Sequence, residues 1–191
     1  YDIIGEAAFN YISETWPGAK VLYVAGKASS GVYASYQDGV DRALATEGNT
    51  AELVSVVHGD WNTELSMNVT NDAINAGLEF DVIFANNEAQ AKGCYNALIE
   101  NAMENDVKIV TTGGGPSGLV MLESGEVDAT MSAPVSLQGL ITFKNLYQFI
   151  NGKVPAKRTA VPVIPIVKDT LDSCISWIVS DVAVDYIGGL E

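Results

Sequence analysis

A chain of 191 residues with 48% hydrophobic residues can bury a core, which excludes the disordered and low-complexity classes. Ten Lys and Arg against 24 Asp and Glu give a net charge of -14, so neither a nucleic-acid backbone nor anionic lipid is an expected partner. No apolar run approaches the roughly 18 residues of a membrane span.

The chain opens YDIIGEAAFNYI without an initiator Met, which reads as a mature product or a piece cut from a longer chain. IIGEAAFNYISETW carries apolar residues at Ile4, Ala7, Ala8, Tyr11 and Ile12, a helical stripe. AKVLYVAG is a short apolar run ending on glycine and predicts a buried strand. GVYASYQDGVDRALATEG returns to helical spacing through Val32, Tyr36, Val40 and Leu44 and closes on Gly48. AELVSVVHG predicts the next strand, and NTELSMNVTNDAINAG a helix capped by Asn62 or Thr63. FDVIFA and EAQAKGCYNALIENAMEN repeat the strand–helix pair. VKIVTT is followed by a short helix, PSGLVMLESGE, with Pro116 suited to its first turn. VDATMSA precedes a long helix, SLQGLITFKNLYQFINGK. TAVPVIPIV reads as extended and proline-interrupted, and DTLDSCISWIVSDVAVDYIGG is ambiguous between helix and strand. Alternation of this kind predicts an α/β fold, a parallel sheet between two helical layers. Ligands then bind at the carboxyl ends of the strands.

Gly113, Gly115 and Gly118 in TTGGGPSGL match the spacing of a dinucleotide pyrophosphate loop. The ribose-binding acid that such a loop needs is absent from the end of the next strand, because Asp128 lies at that strand's start. VAGKASS lacks the upstream glycine of a phosphate loop, with Val21 in its place. His58 is the only histidine, so no histidine-based metal cluster forms, and no nucleophile elbow is present for it to serve. No catalytic residue, cofactor or metal is expected. Asp60 and Glu88 at strand ends read as caps of the following helices, with acid–base work as the alternative. Trp61 offers an aromatic plane in a strand-end loop, and Asn86 and Asn87 offer donors and acceptors, with turn formation sufficient for one of the pair. Cys94 and Cys174 lie outside any C-x-x-C and read as free thiols, a disulfide being the alternative in an oxidising compartment.

FDVIFANNEAQAKGCYNAL and the run from VKIVTTGGGPSGL to YQFINGK resemble, in order and spacing, the corresponding segments of type 1 periplasmic binding proteins. GVYASYQDGVDRAL and VVHGDWNTE are similar to two further segments of that family, and the likeness runs from about residue 4 to about residue 168. It is nearest to the sugar-binding proteins of ABC importers, and the lactose-repressor family shares the same core. The resemblance implies one lobe of a two-lobed protein that closes around a ligand outside the cytoplasm and presents it to a membrane permease. The C-terminal lobe would comprise residues 1–132 and 160–191. The helix over 134–152 would lay Leu140, Phe143, Leu146 and Ile150 on an N-terminal lobe outside this chain, or on a second copy. The family's aromatic falls on Trp61 and its asparagine on Asn87. The acid after that asparagine becomes Glu88, the arginine becomes Tyr36, the turn aspartate becomes Gly113 and the glutamine becomes Ala133. Loss of the charged Arg and Asp forks implies a sugar or sugar-like ligand less hydroxylated than usual. An effector-binding lobe of a lactose-repressor-type regulator is the alternative.

Overall fold

The computed structural model describes residues 1–157, 159–175 and 177–188. The expectations for Ser176 and residues 189–191, at the end of the 160–191 segment, lie outside them. The elements follow the predicted alternation: α1 Asp2–Thr15, β1 Lys20–Ala25, α2 Gly31–Leu44, β2 Glu52–His58, α3 Thr63–Asn75, β3 Val82–Ala85, α4 Glu88–Glu100, β4 Lys108–Gly113, α5 Pro116–Ser124, β5 Ala129–Ser132 and α6 Val135–Ile150. A two-residue β6, Pro165–Ile166, a 3-10 turn over Lys168–Ser173 and α7 Asp181–Tyr186 complete the described chain.

The sheet order is β2-β1-β3-β4-β5-β6. The first five strands are parallel, and β6 runs antiparallel to β5. The sheet is therefore not wholly parallel. Pro162 and Pro165 lack N–H donors, which keeps the extended TAVPVIPIV segment to a short edge pairing. The ambiguous stretch after it becomes a 3-10 turn and a short helix rather than one long element.

Alternation along each strand feeds two cores, as the period of two requires. Val21, Tyr23 and Phe84 pack beneath Phe9 and Ile12 of α1 and Val40 of α2. Leu22, Val24, Ile83 and Ile109 pack against Ala73 of α3, Leu98 of α4 and Leu122 of α5. Helices on the same face approach at backbone distance. A Cβ on Gly39 of α2 would overlap the carbonyl oxygen of Asp2, and one on Gly5 of α1 would overlap that of Tyr36. Gly93 of α4 abuts the Thr63 carbonyl of α3 in the same way. Cys94 is buried, with its sulfur 3.5 Å from the Thr70 hydroxyl, and burial pushes its thiol up to about 12. Both cysteines are free.

α6 differs from the other long helices. Only Ser136 and Leu137 at its start are buried, while Phe143, Leu146, Tyr147, Phe149 and Ile150 are exposed. Near its middle, the Lys144 ammonium donates to the Ile187 carbonyl at 2.6 Å.

Candidate functional site

The strand order reverses direction between β1 and β3, and a cavity of about 630 Å3 opens at the carboxyl ends of β3, β4 and β5. Its floor is Asn86, Asn87, Thr112, Gly113, Ser132 and Ala133. Tyr36 of α2 and the first residues of α1 form one wall. Val135 and Gln138 of α6, residues 161–163 and Trp177 form the other, with Glu88 at the foot of α4. Of the residues singled out from sequence, Tyr36, Asn87, Glu88, Gly113 and Ala133 all line this one cavity. Trp61 does not. It follows β2, two strands away from β3, and its indole covers Gly26, whose absent side chain makes the room.

The floor is a directed hydrogen-bond chain. Thr112 donates its hydroxyl proton to the Asn86 carbonyl oxygen at 2.6 Å, so Tyr36 must be the donor in its 3.0 Å contact with Thr112 Oγ1. The Tyr36 oxygen is left able only to accept. Asn86 Oδ1 accepts from the Gly26 N–H at 2.9 Å and from Tyr23 at 3.1 Å, which fixes its amide orientation. Its Nδ2 is buried with no partner among the described residues. Asn87 also has a structural role, since its Oδ1 accepts the Gln90 N–H at 2.8 Å and caps α4. Asn62 caps α3 in the same manner. Asp60 and Glu88 therefore do not cap the helices that follow them. Asp60 sits in a left-handed turn at φ 49°, and Glu88 reaches across to the Gly115 N–H at 2.9 Å. His58 is likewise engaged, its Nδ1–H donating to the Gly26 carbonyl at 2.7 Å.

Trp177 is the wall residue that sequence reasoning missed. Its Nε1 donates to the Gly113 carbonyl at 3.0 Å, and its ring lies against Gly115, where a Cβ would stand 3.3 Å from the indole. The bare glycine turn was the available signal, since a surface without side chains invites a flat group.

Burial is the main cause that raises the Tyr36 phenol from 10.0 to about 12, and it raises Tyr23 further. The folded value lies above the unfolded one. The stability carried by the protonated phenol is therefore whole below pH 10, and it is lost as the pH rises through about 12. A spectrophotometric phenol titration is expected to show Tyr36 still protonated at about pH 11 in the folded protein, with unfolding setting in above that. A Tyr36→Phe variant that left the late-titrating fraction unchanged would refute the assignment.

A family model described as a periplasmic binding protein domain matches residues 3–154. The chain belongs to the periplasmic binding protein family. The ribose import binding protein of Escherichia coli is 26% identical over 129 residues, covering 67% of this chain and 43% of its own. The D-allose-binding periplasmic protein of the same organism is 24% identical over 115 residues, covering 60% and 37%. The chain thus spans less than half the length of these curated relatives. Among solved structures, a solute binding protein of an ABC transporter from Actinobacillus succinogenes with bound D-allose superposes with a TM-score of 0.78 at 20% identity, covering 90% of this chain and 62% of that one. One from Bacillus halodurans with bound myo-inositol gives 0.75 at 18% identity, covering 90% and 60%. These likenesses establish the shared periplasmic binding protein fold.

Proposed function

We propose that this chain is the C-terminal lobe, residues 1–132 and 160–191, of an ABC importer's solute-binding protein. It would work in the periplasm or otherwise outside the cytoplasm and hold a small sugar-like molecule in a cleft closed by a second lobe. The observation that carries this reading is the cavity at the carboxyl ends of β3–β5. Its polar lining is mixed in sense: Tyr36 and Glu88 accept, while the Asn87 and Gln138 amides carry donors. A hydroxyl both donates and accepts, so adjacent hydroxyls on one ring satisfy such a floor. Trp177 and Tyr36 supply aromatic surface for the ring's apolar face. The names of the relatives, which bind ribose and D-allose, support the same class. The exposed apolar residues of α6 support its packing on the second lobe, and hinge closure would then present the loaded form to a permease.

The test is a thermal-shift and calorimetric screen of the full-length protein against pentoses, hexoses and cyclitols. A saturable rise in melting temperature with one of them is expected. No shift with any sugar or cyclitol, together with turnover of a substrate, would remove the reading. Ligand-dependent DNA binding would instead place the lobe with lactose-repressor-type regulators. Trp177→Ala is expected to weaken the discovered ligand about tenfold or more, and Trp61→Ala to have a smaller effect. An unchanged dissociation constant for Trp177→Ala would take the indole out of the site.

A further inference from the structure

Three of the four glycines of TTGGGPSGL, Gly113, Gly115 and Gly118, lie against the Glu88 side chain, while Gly114 faces Ile166. A Cβ on Gly113 would overlap Glu88 Oε1 and stand 2.8 Å from its Cδ. One on Gly118 would stand 2.7 Å from Oε1 and 2.8 Å from Cγ, and one on Gly115 would stand 3.4 Å from Oε1. The motif that spells a pyrophosphate loop is a slot for a carboxylate, the opposite electrostatic preference. Glu88 fills the space in which a side chain on residue 113 would begin. The acid missing from the glycine turn is thus supplied from the end of the neighbouring strand.

The charge on Glu88 is left without a protein counter-ion. Oε1 accepts one backbone N–H, and among the described residues Oε2 has no hydrogen-bond partner. Lys92, one turn further along α4, is taken by Glu126 at 2.6 Å. Among the described lining residues there is no Lys, Arg or His, and the other acid, Asp2, is paired with Arg42 at 3.1 Å. Tyr36 beside it can only accept. Whatever stands next to Glu88 must therefore donate, and a positive donor gains most, because charge-assisted hydrogen bonds are about twice as strong as neutral ones.

Building on the binding-protein reading, we propose that Glu88 is the specificity-determining residue of the cleft, selecting a sugar-sized ligand that carries an ammonium group and excluding one that carries a carboxylate.

The test is calorimetry of the full-length protein with amino-sugar, neutral-sugar and uronate probes in the glucose, galactose and mannose configurations, with ribose and myo-inositol added. The tightest binder is expected to be an amino sugar, at least about tenfold tighter than its neutral counterpart, with the uronates not binding. Glu88→Gln should erase that preference without changing the melting temperature, because the amide oxygen still accepts the Gly115 N–H. Gly118→Ala should also erase the preference, because its Cβ would stand 2.7 Å from Oε1 and 2.8 Å from Cγ and push the Glu88 side chain aside. A neutral sugar bound as tightly as the amine, a uronate bound by the unaltered protein, or a preference that survives both variants would overturn the proposal and leave the binding-protein reading standing. No binding by any probe would overturn the proposal as well, and turnover of a substrate beside it would remove the binding-protein reading too.

Discussion

Gly39→Ala is expected to destabilise the fold by about 3 kcal/mol, the upper part of the range for overpacking. The new methyl would overlap the Asp2 carbonyl oxygen and stand 2.8 Å from the Glu6 N–H. Both are backbone atoms, so no rotamer change relieves the contact, and α1 must move off α2. That movement also opens the wall of the cavity, because Asp2, Ile3 and Ile4 belong to α1 and Tyr36 to α2. Gly139→Ala is the matched control. It lies in α6 with nothing within 4 Å of an added Cβ, so it should raise stability by up to about 1 kcal/mol through helix propensity. Urea midpoints that moved equally for the two variants would refute the close-approach argument.

Phe84→Ala is expected to cost about 4 kcal/mol, since its ring is fully buried at the middle of the sheet. It meets Phe9 edge-on at 5.8 Å, Tyr23 at 5.0 Å and Tyr36 at 6.2 Å. The last contact couples core to cavity. Without Phe84 beneath it, the Tyr36 ring loses part of its dry surroundings, and its titration should move from about 12 back toward 10.0. Urea unfolding measures the first effect and a phenol titration of the folded variant measures the second. A destabilised variant in which Tyr36 still titrated late would separate the two and break the proposed coupling.

The architecture was legible because its signals are periodic. Apolar runs such as KVLYVA and VIFA, separated by helical stripes, encode strands buried on both faces, and the strand ends followed from them. Tertiary roles were less legible. Asn86 and Asn87 are identical in sequence terms, yet the alternation of the chain sends one into the sheet beside Tyr23 and the other onto the α4 N-terminus. Asp60 and Glu88 have capping chemistry, but the adjacent asparagines hold the cap positions. Trp177 lies in a segment with no clean period, and its place depends on a hydrogen bond to Gly113, 64 residues away in sequence. Trp61 satisfied every local criterion for a binding aromatic. Only the strand order shows how far it stands from the floor of the cavity.

The position of Trp177 bears on the order in which the protein matures. Synthesis delivers the chain from its N-terminus, and folding units form as they emerge. The five parallel strands are complete once Ser132 has left the ribosome, and the glycine turn is then in place but uncovered. The indole that roofs it arrives well after. A nascent chain thus holds a formed sheet while its pocket wall is still unfinished, and that wall is completed only after Trp177 has emerged.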